Sequence, residues 1–285
     1  MKHTIIHQKD EPLYPEVLFN RPINPLLKPV ILLIGGGAGK LTTLSSSYQI
    51  IGVLGIRRGL VAPKNLASLG DLLPITAYIE PTRAGQINKA ALAAVANDSN
   101  LMVLAPDLAN NSTNQLACDY LLRSYQSAVV ITDEILRLAA ISPDVLVRSN
   151  VIYFISTAGL IALANYLKIG IAIRPNRGIY NKIDIIKSLQ NKLTSDFVVY
   201  DQQQILICTL DGQIGVTDIK STDIFDQQGI LLGLLASLVA DYSGQLKNVF
   251  KRTMMAGYIF KSAASKQLKN GSIIDAVKAV IESQN

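Results

Sequence analysis

The sequence predicts an α/β protein with a mostly parallel central sheet and helices on both of its faces. Three observations lead there. Short continuous apolar runs, Val30–Ile34 the clearest, have the character of strands buried on both faces. Helical stretches separate them, and such alternation is the pattern of a parallel sheet. Hydrophobic residues make up 49% of the 285 positions and charged residues 17%, enough apolar surface for a large core and too much for a disordered chain.

Residues 1–28, punctuated by Pro12, Pro15, Pro22 and Pro25 with Pro29 adjoining, are polar and predict an extended arm. Residues 29–285 then form one domain. Strand Val30–Ile34 runs into Gly35-Gly36-Gly37-Ala38-Gly39, followed by a small-residue helix reaching about Arg58. Further strands are expected at 60–62, 75–79, 101–105, 128–131 and 151–155, and helices at 85–96, 112–124, 133–139 and 157–168. Residues 169–173 predict another strand and 182–192 a helix. Residues 197–200, 204–209 and 213–218 are strand-like, with Asp211-Gly212 as a hairpin turn between the last two. The final third is helical, at 227–240, 245–266 and 272–282. No repeat or low-complexity linker divides the chain.

Composition narrows the function. His3 and His7 both sit in the arm, which removes most histidine zinc sites and leaves a Ser-His-Asp triad without a base held by the fold. No metal is expected from the protein's own ligands. Cys118 and Cys208 lie 90 positions apart in apolar stretches, so they form no CxxC motif and fit reduced core thiols of a cytoplasmic protein. The start has no signal-peptide apolar region. The longest uncharged stretch, 151–167, has 17 residues and contains Ser156, Thr157 and Asn165. A span needs about 20 predominantly apolar residues, so a buried strand and helix are expected there and no membrane association. The net charge of +6 is spread over small clusters at Arg57-Arg58, Arg174 with Arg177, and Lys247, Lys251 and Arg252. Without interleaved aromatics these do not predict nucleic-acid binding, but they are compatible with a small anionic ligand such as a nucleotide.

Candidate ligand residues fall at strand ends, where open parallel sheets bind. The segment from Ile34 departs from a phosphate-binding P-loop, because Gly39-Lys40 is followed by Leu41 and the first glycine position is Ile34. It departs from a dinucleotide G-x-G-x-x-G as well, since Lys40 stands at the last position. Gly35 and Gly36 still allow close approach of a ligand to backbone N–H groups, or serve packing alone. After the strand at 101–105, Asp107 is a ligand contact or a turn former, and Asn111 or Ser112 caps the next helix. Asp133 stands at the next strand end, as a ligand contact or a plain cap. Asp226-Gln227-Gln228-Gly229 opens a very apolar helix whose Gly233 and Ala236 permit close packing, with an anion site at its start.

The order of these features resembles the ribokinase-like superfamily, and within it the ADP- or ATP-dependent NAD(P)H-hydrate dehydratases. Leu33-Ile-Gly-Gly36 is similar to that family's first strand end. Ala105-Pro-Asp-Leu-Ala109 is similar to its Gly-Pro-Gly-Leu-Gly loop, and Val130-Ile-Thr-Asp133 to its Val-Leu-Asp-Ala-Asp strand end. Residues 226–238 align without gaps with its Gly-Thr-Gly-Asp-x-Leu-Ala-Gly helix, and Ala256-Gly257-Tyr258 with Ala263-Ala264 resembles its last helices.

The resemblance implies a three-layer αβα sandwich, an ATP or ADP cofactor with Mg²⁺, and homo-oligomers. It implies a lyase that removes water from hydrated NAD(P)H, with a nucleotide or dinucleotide bound by Gly35, Gly36, Asp107, Asn111, Asp133, Asp226, Gln227, Gln228 and Gly229. Three departures stand against turnover. Gly229 replaces the family's acid-base Asp, Ser156-Thr-Ala-Gly159 stands where His-Pro-x-Glu is usual, and Tyr200-Asp201 replaces a Lys-Gly pair. Asp226 is the remaining candidate for the base. The alternative is a catalytically silent member that binds a ligand or serves as an oligomeric scaffold.

Overall fold

The computed structural model describes residues 4–19, 24, 27–35, 41–63, 77–79, 89–104, 112–170, 178–219, 226–267 and 272–284. Its strands are β1 (Ile5–His7), β2 (Val30–Ile34), β3 (Arg57–Pro63), β4 (Ala77–Ile79), β5 (Leu101–Leu104), β6 (Ala128–Ile131), β7 (Val151–Ser156), β8 (Asp196–Tyr200), β9 (Gln204–Cys208) and β10 (Ile214–Asp218). They form one sheet in the order β1-β10-β9-β8-β7-β6-β5-β2-β3-β4. All pairings are parallel except those of β9 with β8 and with β10. The chain leaves β2 toward β3 and β4 on one side and returns to β5 on the other. The boundary between β2 and β5 is therefore the switch point at which open α/β sheets bind ligands.

The helices are α1 (Glu16–Phe19), α2 (Leu41–Val53), α3 (Lys89–Asn97), α4 (Ser112–Ser124), α5 (Leu138–Ile141), α6 (Thr157–Tyr166), α7 (Gly178–Leu193), α8 (Gln227–Val239), α9 (Val249–Gln267) and α10 (Ile273–Glu282). Alternate strand residues feed two cores. Ile31, Leu33, Val103, Val130 and Phe154 meet α2, α8, α9 and α10, whereas Leu32, Met102, Leu104, Ile131 and Tyr153 meet α3 to α7. This is the expected three-layer sandwich, with the C-terminal helices supplying most of one layer. Cys118 and Cys208 are buried free thiols, and burial pushes both up to about 12. Among the described residues no helix is long and apolar enough to cross a membrane.

Several boundaries differ from expectation for local reasons. The helix expected to reach Arg58 ends at Val53, and β3 begins at Arg57. Gly55, at φ 67°, is the stop: its N–H bonds Gly52 O and the Ile56 N–H reaches back to Ile51 O, a left-handed cap that releases the chain. The segment expected as an arm contributes β1, which pairs in parallel with β10, so His7 lies in a strand rather than a tail. The helix expected at 133–139 opens as a 3₁₀ turn, Asp133–Arg137, before α5. Ile169 and Gly170 are not in a strand, and the rest of the strand expected at 169–173 lies outside the described residues. The arginine pair at 57–58 is absorbed by the fold: Arg57 Nε donates to Lys28 O, and Arg58 lies 3.9 Å over the Tyr48 ring.

Candidate functional site

Register places the ends of the parallel strands along one edge. Ile34 of β2 and Leu104 of β5 are direct partners at the switch point. Gly35 follows Ile34 and is buried, while Gly36, Asp107 and Asn111 lie outside the described residues. Asp133, Ser156, Tyr200 and the start of α8 occupy the same edge, at the C-terminal ends of β6, β7 and β8. Two clusters of polar side chains are built there.

The first joins α2 to α8. Asp226 takes the left-handed conformation (φ 60°, ψ 50°), which Asp tolerates better than most residues, and caps α8. Its Oδ1 accepts from the Thr43 hydroxyl at 2.8 Å and from the Gly229 N–H at 3.2 Å. Its Oδ2 is buried and finds no hydrogen-bond partner among the described residues. The Ser47 hydroxyl, fully buried, lies 2.8 Å from both Thr43 O and Gly229 O. These bonds tie the first turn of α2 to the first turn of α8. Gly229 makes the approach possible: a Cβ there would stand 2.5 Å from Thr43 O, 2.9 Å from Thr43 Cα and 2.4 Å from Asp226 Oδ2. A side chain at 229 has no room, so the turn carries its carboxylate on Asp226, folded back over the helix start. Gln227 and Gln228 are the first two helical positions, at the positive end of the α8 dipole.

The second cluster surrounds Asp133. It does not cap its own turn, whose flanking Thr132 makes no side-chain cap bond. Instead it reaches the start of α6, where both carboxylate oxygens accept from Ser156 N at 3.1 and 3.2 Å. Ser156 in turn caps α6 through its Oγ, which accepts from Gly159 N at 3.0 Å. Gly159 is required, because a Cβ there would fall 1.7 Å from Asp133 Oδ1. Burial pushes the Asp133 carboxyl above the usual range, against the bonds from Ser156. The Tyr200 hydroxyl lies 3.4 Å from Asp133 Oδ2 and also bonds the Gln228 side chain, so it connects the two clusters. Its ring stacks on Phe154 at 4.6 Å, and burial pushes the phenol up.

Beyond β8, Lys182 of α7 pairs with Asp201 at 2.6 Å. Burial opposes ionisation of Asp201, but Lys182 and the N–H groups of Gln203 and Gln204 hold it below the usual range. A cation therefore reaches this strand end from α7, although the sequence after the strand offers none.

Asp133, Asp226, Gln228 and Gly229 are thus brought together, with Gln227 beside them. Thr43, Ser47, Gly159, Lys182 and Tyr200 complete the arrangement, and the sequence reading did not single out their roles. No local signal marks Thr43, whose partner is 183 positions away. A cavity of about 320 Å³ opens beside Asp133. A larger one, about 370 Å³, lies at the opposite edge between Pro29 and the end of α8. Its charges are committed within the chain: Lys251 to Glu16 at 3.1 Å, and Arg252 to the Val239 and Ala240 carbonyls at 3.2 Å. Among the described residues no group of three or more His, Cys, Asp or Glu side chains is placed to hold a metal ion.

No protein-family model matches the chain, and no curated protein matches it significantly. Solved structures do. A ribokinase-like superfamily protein from Enterococcus faecalis V583 superposes with a TM-score of 0.74 at 15% identity, covering 98% of this chain and 96% of that one. A hypothetical protein from Streptococcus mutans gives 0.74 at 16%, covering 99% of both chains. The ADP/ATP-dependent NAD(P)H-hydrate dehydratase of Bacillus subtilis, co-crystallised with ATP and Mg²⁺, gives 0.67 at 15%, covering 99% of this chain and 100% of that one. The chain has the ribokinase-like α/β fold.

Proposed function

We propose that this protein binds an adenine nucleotide or dinucleotide across the C-terminal edge of its sheet, between the switch point and the start of α8. The observation that carries this reading is the whole-length likeness to ribokinase-like proteins, one of them co-crystallised with ATP and Mg²⁺. The ligand phosphate would meet the start of α8, where the helix dipole favours an anion. The Asp226 carboxylate already shares that helix start, so a bare phosphate meets repulsion. A nucleotide arriving with its own Mg²⁺ meets less of it. Such an ion is held mainly by phosphate oxygens and water, which suits a site whose described residues include no group of three or more carboxylates. The finer form of the proposal is ATP- or ADP-dependent removal of water from hydrated NAD(P)H.

A specific observation favours a second reading, a binding protein without turnover. Acid-base chemistry needs a carboxylate within reach of the reacting atom. Position 229 has no space for one, and Asp226 turns Oδ2 inward while Oδ1 is engaged by Thr43 and Gly229.

A thermal-shift panel with ATP, ADP, NADH and hydrated NADH, each with and without Mg²⁺, tests the binding claim. A ligand at 100 times its Kd stabilises by about 2.7 kcal/mol, a resolvable change. Stabilisation by an adenine nucleotide supports the site, and no shift with any ligand sinks it. Consumption of hydrated NADH with ATP then separates the lyase from the silent binder.

A further inference from the structure

Tyr200 ends β8 and touches both polar clusters of the candidate site. Its ring lies face to face on the fully buried ring of Phe154, with 4.6 Å between centroids and 18° between planes. Stacking sets the plane and position of the ring, and a phenol oxygen has no freedom beyond that of its ring. The hydroxyl is therefore a fixed point between Asp133 Oδ2, at 3.4 Å, and the Gln228 side chain. A phenol has one proton to give, and a carboxylate only accepts. Both oxygens of Asp133 accept from Ser156 N, at 3.1 and 3.2 Å, so both act as acceptors. The Tyr200 proton goes to Asp133, and the phenol oxygen accepts from the Gln228 amide. Donation runs from Gln228 to Tyr200 to Asp133. The two ends of a side-chain amide differ, so this order fixes which way round Gln228 stands, with its nitrogen toward Tyr200.

We propose that Tyr200 is a positioning residue of the α8 site: its hydroxyl holds the Gln228 amide in one orientation at the helix start, with the second N–H of that amide left to donate to a ligand phosphate. Gln228 is the second residue of α8 and is half-buried, so it borders the place where the phosphate is proposed to lie. An untied glutamine loses rotamer freedom when it meets a ligand, whereas one tied by Tyr200 has lost it beforehand. The inference rests on the nucleotide or dinucleotide reading and adds a residue that prepares the site without touching the ligand.

Calorimetric titration of the full chain with ADP and Mg²⁺ tests it in four proteins: wild type, Tyr200→Phe, Gln228→Met and the double variant. Tyr200→Phe keeps the ring on Phe154 and removes only the hydroxyl. It should weaken binding about three- to tenfold, the range expected when one side chain must be ordered by the ligand. In the Gln228→Met background the same change should cost less than about twofold, because Tyr200 acts through Gln228. A merely structural role would lower Tm and leave Kd alone. The two side-chain amide protons of Gln228 supply a second reading by ¹⁵N–¹H NMR: their resonances should be well separated in the wild type, where one N–H is bonded, and should move in Tyr200→Phe. Equal Kd in wild type and Tyr200→Phe, an equal loss in both backgrounds, or Gln228 amide resonances in the wild type like those of a free glutamine overturns the proposal, the last whether or not any variant folds. If the wild type itself does not bind Mg²⁺-ADP, the nucleotide reading falls and takes this inference with it; if it binds and Tyr200→Phe has no effect, the inference falls alone.

Discussion

Replacement of Gly229 by Ala tests the junction on which the candidate site is built. The new Cβ would lie 2.5 Å from Thr43 O and 2.9 Å from Thr43 Cα, both backbone atoms of α2. Ordinary contact needs roughly 3.4 Å or more, so the two helix starts would have to part by several tenths of an ångström to about one. The buried Ser47 hydroxyl, 2.8 Å from oxygens of both helices, resists that movement. Overpacking of this kind costs about 1–3 kcal/mol. Ala in place of Gly near a helix start returns up to about 1 kcal/mol. A net loss of about 1–2 kcal/mol follows, a fall in Tm of about 2–3 °C in a chain of this size. Urea and thermal melts followed by circular dichroism read it. Gly229→Asp should be worse, since its side chain begins 2.4 Å from Asp226 Oδ2, and it should not generate dehydratase activity. If Gly229→Ala matches or exceeds the wild-type stability, the close approach of α2 and α8 is wrong, and so is the reason given for the missing side chain.

Four further outcomes are expected. Asp196 is pushed from 3.8 up to about 6, chiefly by burial and also by Asp211, so the folded state keeps a proton that the unfolded chain releases between about pH 4 and 6. Stability is then full below pH 4 and falls as pH rises through 6; Asp196→Asn, still able to accept from Leu210 N, should remove that slope and stabilise at pH 7.5 by up to about 3 kcal/mol in urea melts. Thr43→Val should cost about 1–3 kcal/mol by leaving Asp226 one donor short, and Thr43→Ser should recover most of it in the same assay. Asp226→Ala should lose about 1 kcal/mol of helix capping, while Asp226→Asn, which also tolerates the left-handed backbone, should stay within a few tenths of wild type. Gly159→Ala should drive Asp133 off Ser156 N, seen as loss of amide-exchange protection at Ser156.

The alternation of strands and helices was legible because the strands are buried on both faces and so are continuous apolar runs, as in Val30–Ile34 and Val151–Ser156. Prolines and polar residues hid β1, whose three residues become a strand only by pairing with β10 some two hundred positions later. Gly55 was a readable helix stop that the small-residue run around it obscured. At the site, the residues that begin elements were visible, Asp133 and Asp226 among them, because capping is local chemistry. Their distant partners were not. Asp133 crosses to α6, and Asp226 is held by Thr43 on a distant helix, contacts with no imprint on neighbouring sequence.

Amide hydrogen exchange with and without saturating Mg²⁺-ADP measures the central claim most directly. Binding at the C-terminal edge predicts added protection at the first turns of α8 and α2, with the opposite edge around Asn248–Arg252 unchanged. Protection confined to that opposite edge, or none at either, would contradict the assignment of the site.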